Sequence, residues 1–186
     1  MTDWIKLLQS VVSLEKEKKM GSKVSKTKAY SLPEQALTMA EEPALKYNTF
    51  RVILGGNSSL EKSISGDYDL IALTREGIKK STLKSLSAHL GISMEVMSRL
   101  IHSSHRNIQR KDEDELLDTL KTEKVLELAA FAQRGIEVIG SKDAFIEWVH
   151  SPLISLGNKT PLDFLDTTFG IQLVLKILGR LEQGVY

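Results

Sequence analysis

The chain has 186 residues, long enough for one ordinary domain or two small ones with a real core. A formal net charge of +1 removes any bulk electrostatic case for nucleic acid, so a DNA contact has to come from a local patch. The absence of cysteine excludes disulfide scaffolds and thiolate metal sites, and no apolar run reaches the length of a membrane span.

In chain order, Trp4, Leu7, Leu8, Val11 and Val12 recur at helical spacing and predict a helix over 3–19. Lys6, Gln9 and Ser10 interrupt its apolar run, which makes it a poor signal peptide and leaves a cytoplasmic protein as the expectation. Residues 20–30 are rich in lysine, serine and glycine and read as a linker. Further on, Phe50-Arg51-Val52-Ile53-Leu54 reads as a short strand or extended segment stopped by Gly55-Gly56. Residues 1–66 are therefore expected to be an N-terminal extension, partly disordered or in contact with a second copy or a partner.

From Asp69 onward the pattern predicts helix after helix. Asp69 can cap a helix over 70–75, Ser81 one that buries Leu83, Leu86 and Leu90, and Ser93 one that buries Met97, Leu100 and Ile101. A fourth helix is expected over about 104–111. The run Asp112-Glu113-Asp114-Glu115 reads as carboxylates complementing the positive end of the next helix. That helix is expected over about 113–134, with a break near Lys121-Thr122, and Gly135 and Gly140 delimit a short following piece. Ser141 caps a helix presenting Phe145, Trp148 and Val149, which Pro152 terminates. Thr160-Pro161 starts a further helix, with a capping hydroxyl and proline at its first position, and Asp166 or Thr167 starts a last helix whose apolar face is Leu173, Val174, Ile177, Leu178 and Leu181.

Two stretches carry a resemblance. The loop Pro152-Leu153-Ile154-Ser155-Leu156-Gly157-Asn158-Lys159-Thr160-Pro161-Leu162-Asp163-Phe164-Leu165 and the ending Gly179-Arg180-Leu181-Glu182-Gln183-Gly184-Val185-Tyr186 resemble the toxin-binding domain of the Xre/MbcA/ParS antitoxins of bacteria. The run from Val96 to Lys111 resembles the helix-turn-helix of the same family, departing from it at His102, where glycine is usual, and at Ser103. The small Ser98 suits close helix approach. His105, Arg106, Asn107, Gln109, Arg110 and Lys111 supply donors and cations suited to base edges and phosphates.

The resemblance implies a mainly α fold: a helix-turn-helix module over 67–124 and a small helical toxin-binding domain over 125–186. It implies a homodimer that neutralises a cognate NAD-consuming RES-domain toxin of a type II toxin–antitoxin system and represses its own operon at operator DNA. The tail would occlude the toxin's active site. Toxin contacts fall to Arg180, Glu182, Gln183, Gly184, Val185 and Tyr186, with Trp148 as core or interface anchor. The residues alone leave two other readings open: a stand-alone helix-turn-helix regulator, and an inhibitor that no longer reads DNA. No catalytic group is expected, because His89, His102, His105 and His150 form no metal-ligand or nucleophile pattern, and no cofactor is implied.

Overall fold

A computed structural model of the chain describes residues 47–60 and 63–184. The expected helix over 3–19, the linker, and the tail residues Val185 and Tyr186 lie outside the described residues. Among the described residues the protein is all helical, with two isolated bridges, Lys79 with Leu116 and Leu153 with Lys159.

Residues 47–53 are helical (α1), which corrects the strand expected over 50–54. The reason is the period. Phe50, Ile53 and Leu54 are buried together, as one helical face requires, while Val52 stays exposed. A strand would have put Phe50, Val52 and Leu54 on one side. Asp67–Glu76 forms α2, which starts two residues before the expected cap, and Asp69 instead accepts from Ser65 N–H at 2.7 Å.

Thr82–Leu90 forms α3, buries Leu83, Leu86 and Leu90, and ends on a left-handed Gly91. Ser81 stands at its start but makes no side-chain capping bond. Met94–Leu100 (α4) is capped by Ser93, as expected, and His105–Gln109 (α5) is capped by Ser104. The second is shorter than the sequence pattern suggested.

The main correction concerns the middle of the chain. Thr119–Ile139 is a single helix, α6, with no break at Lys121-Thr122 and none at Gly135. Asp118 is its cap and accepts from Lys121 N–H at 2.9 Å. Thr122 is fully buried and donates to Leu117 O at 3.3 Å, so its hydroxyl is satisfied inside the core rather than breaking the helix. Gly135 is there for packing: an added Cβ would lie 2.1 Å from the Phe145 ring.

The acidic run also has another purpose. It precedes the start of α6, whose first turn holds no acid, so it does not complement that helix. Instead it pairs with lysines: Asp114 with Lys79 at 3.3 Å, Glu113 with Lys80 at 3.3 Å and Lys84 at 3.1 Å, and Glu115 with Lys111. Lys80 further donates to Lys111 O at 2.6 Å, which ties the segment after α5 back onto α3. Hydrogen bonding from Lys84, with Lys80 beside it, holds the Glu113 carboxyl below its ordinary value of 4.5. Its stabilisation is therefore present above that ordinary value and is lost as pH falls through the lowered folded value. Glu113→Gln is expected to lower the melting temperature at neutral pH and to leave it unchanged in strong acid, checked by thermal melts across pH.

Lys142–His150 forms α7, capped by Ser141. A 3-10 turn over Pro161–Phe164 carries the full capping box of Thr160 and Asp163, and Thr167 caps α8, Thr168–Glu182. The buried face of α8 is Gly170, Ile171, Val174, Ile177 and Leu178. Leu173 was expected on it but is 42% exposed. Gly170 lets α8 start close to the preceding turn, since an added Cβ would lie 1.9 Å from Phe164 O.

All of these faces meet in one apolar cluster with α6 through its middle. Val125, Leu128, Ala129, Phe131 and Ala132 of α6 are inaccessible, as are Leu83, Leu86 and Leu90 of α3 and Phe145 and Val149 of α7. His150 reaches Leu90 O at 3.1 Å, joining the ends of α7 and α3. Residues 124 and 125 both lie within α6, so one rigid helix serves both halves of the chain.

Candidate functional site

The helix-turn-helix is built by α4, a four-residue turn and α5. Ser98 is fully buried at the crossing and donates to Met94 O at 2.7 Å, so its hydroxyl costs nothing in the interface. His102 takes the left-handed conformation, with φ of 55°, in the place where glycine would be easiest. Ser103 N–H then donates to Ser98 O at 2.9 Å and closes the turn. Ile101 and Ile108, both buried, fasten the two helices to the core.

That anchoring points the rest of α5 outward. Arg106, Asn107, Gln109 and Arg110 are exposed, and His105 and Lys111 are half-buried. Among the described residues Arg106 and Arg110 make no ion pair, and neither does Arg99 on α4. Lys111 is engaged with Glu115. Asn107, Arg110 and Lys111 share a shallow depression of about 340 Å³ with Ser103, Glu115 and Lys121. Sequence reasoning missed Arg99 and Lys121, because it stopped at the recognition helix. Lys121 joins the face only because α6 starts beneath it.

The C-terminal face is separate. Arg180, Glu182, Gln183 and Gly184 are exposed at the end of α8, and Gly184 has φ of 67°. Glu182 forms an ion pair with Arg134 of α6, which sequence reasoning also missed. The two are 48 residues apart, and only an unbroken α6 brings them together. Trp148 does not join this group in any recorded contact. It is half-buried on α7 and stacks on Phe145, with ring centroids 6.4 Å apart.

No helix among the described residues is long and apolar enough to cross a membrane, and no described cluster of acids and histidines could hold a metal ion.

Comparison with known proteins matches two segments of the chain. Residues 69–130 match the antitoxin Xre-like helix-turn-helix domain, and residues 134–184 match the antitoxin Xre/MbcA/ParS C-terminal toxin-binding domain. The chain is 28% identical over 128 residues to a protein named Prs ADP-ribosylating antitoxin from Sphingobium sp. (strain YBL2), covering 63% of this chain and 80% of that one. It is 39% identical over 46 residues to an antitoxin Xre of Photorhabdus laumondii, covering 25% of this chain and 31% of that one. A solved structure, the M. tuberculosis MbcT-MbcA toxin-antitoxin complex, has a chain at 24% identity and a TM-score of 0.43, covering 57% of this chain and 96% of that one. Both domain matches fall in chain order and meet inside α6, and this chain belongs to the Xre/MbcA/ParS family of antitoxins.

Proposed function

We propose that this chain neutralises a cognate RES-domain toxin that consumes NAD, by direct binding in the bacterial cytoplasm, and that it represses its own operon. The observation that carries the first half is the free end of α8. Arg180 and Glu182 on the last turn of α8, and Gln183 and Gly184 just after it, are exposed past the last buried residue, Leu178. A short, exposed segment anchored in this way can enter a cleft at little ordering cost. In this reading Val185 and Tyr186 go deepest, and Arg180 and Glu182 exchange charge pairs with the toxin's phosphate-binding groups. The ion pair of Glu182 with Arg134 is exposed, so giving it up costs little. The chain acts by occlusion and contributes no catalytic group.

The second half rests on Arg106 of α5 and Arg110 just after it, which make no ion pair among the described residues. Arg106 and Arg110 meet phosphates or guanine edges, Asn107 and Gln109 read bases, and His105 and Lys111 steady the register. A homodimer would read a pseudo-palindrome with half-sites one helical turn, or a multiple of it, apart. Arg106→Ala with Arg110→Ala is expected to lower operator affinity by about tenfold or more and to leave toxin neutralisation unchanged. Fluorescence anisotropy on operator DNA and a growth assay read the two separately.

The experiment for the whole reading is co-expression with the reading frame beside the gene. A neighbour that arrests growth alone, co-purifies with this chain and is silenced by it supports the proposal. A harmless neighbour that does not co-purify would favour a stand-alone regulator.

A further inference from the structure

The proposal above needs a homodimer without saying which surface makes it. Two of the most exposed large apolar side chains, Leu120 at 78% and Phe169 at 86%, line one groove. It holds about 930 Å³ and lies where the starts of α6 and α8 meet the helix-turn-helix turn at Ile101 and His102. Leu173, one turn past Phe169 on α8, extends the apolar strip. Side chains of this size, grouped and facing water, mark an interaction surface.

Charge identifies the occupant. The lysines at the groove are already neutralised: Lys121 pairs with Asp118, and Lys124 with Glu127 at 2.9 Å. Glu123 and Asp166 at the same groove make no ion pair among the described residues, so the groove is apolar with an acidic rim. On α8, Phe169, Leu173 and Lys176 fall at i, i+4 and i+7, one stripe of the helix, and Lys176 is exposed and likewise unpaired among the described residues. One stripe therefore runs from an acidic, apolar end to a basic end. Turned over and laid antiparallel on itself, it is complementary, which is what a two-fold interface requires.

We infer that two copies of this chain dimerise through α8 and the groove beside it, packed antiparallel about an axis near Leu173. Leu173 meets its own copy, Phe169 covers the aliphatic stem of Lys176 of the second copy, and that ammonium reaches Asp166. The inference rests on the dimeric antitoxin reading.

Sedimentation equilibrium of the full chain tests it. The parent is expected to be a dimer, with Phe169→Glu and Leu173→Glu each weakening association by at least about tenfold. Circular dichroism confirms that these exposed substitutions leave the fold intact. Should one disturb it, Lys176→Glu, a fully surface change, carries the test. It is expected to weaken the dimer, and Lys176→Glu combined with Asp166→Lys to restore it. A monomeric parent, an unaffected dimer in the glutamate variants, or no rescue by the paired reversal would overturn the inference. The same variants are assayed for toxin neutralisation: loss of neutralisation with the dimer intact would assign the groove to the toxin instead. Tail deletion tests the occlusion reading independently, since it leaves the α8 stripe untouched.

Discussion

Deleting Gln183–Tyr186 is expected to abolish the proposed toxin neutralisation and to leave the melting temperature close to that of the parent. The two halves of this expectation have different causes. The last buried residues of α8 are Ile177 and Leu178, and Gln183 and Gly184 are exposed, so their removal takes no apolar surface out of the core. The loss of inhibition follows if the tail is the part that fills the cleft, because a rigid helix end cannot reach where a narrow four-residue segment can. Substitutions divide the effect. Tyr186→Ala removes the ring alone, and Glu182→Ala removes a carboxylate together with its exposed pair to Arg134. Both are expected to weaken inhibition by less than the deletion does. Growth rescue under co-expression, beside a thermal melt, reads the outcome, and full neutralisation by the truncated chain would remove the occlusion mechanism.

Phe145→Ala is expected to cost about 3–5 kcal/mol. The ring is inaccessible, lies tilted against Phe131 with centroids 5.6 Å apart, and stacks on Trp148. Its other side rests on Gly135, where a methyl group would sit 2.1 Å from the ring. Gly135→Ala alone therefore overpacks the α6–α7 contact and costs about 1–3 kcal/mol. The two changes together are expected to cost less than their sum, because the new methyl occupies part of the space that the ring leaves. Urea unfolding of the two single variants and the double closes the cycle. Strict additivity would mean that Gly135 and Phe145 do not share one packing site.

Much of this was legible from residue order. The caps at Ser93, Ser141, Thr160 and Thr167 announce themselves locally, because a hydroxyl before an apolar period favours a helix start, although Ser81 in a like position makes no capping bond. The helix-turn-helix was readable through its resemblance to the family's motif, with His102 standing in the turn where glycine is usual and taking the left-handed conformation. What was not legible depended on partners far away in the chain. Thr122 and Gly135 look like helix breakers until Leu117 O and the Phe145 ring are placed beside them. The acidic run after α5 looks like dipole complementation until Lys79, Lys80 and Lys84 come into reach. The five residues 50–54 read as a strand by themselves, and as a helix only once a core covers Phe50, Ile53 and Leu54 and leaves Val52 exposed. The same limit hid the pairing of Arg134 with Glu182, and it left Leu173 on the wrong face of α8.

The central claim is neutralisation by direct occupation of a toxin's NAD site. Its most direct test is NAD turnover by the purified product of the neighbouring reading frame as this chain is titrated in. Turnover that falls stoichiometrically to zero with the full chain, and is unchanged by a chain lacking residues 183–186, is the predicted result. Turnover that persists at saturating, demonstrably bound antitoxin would contradict the account.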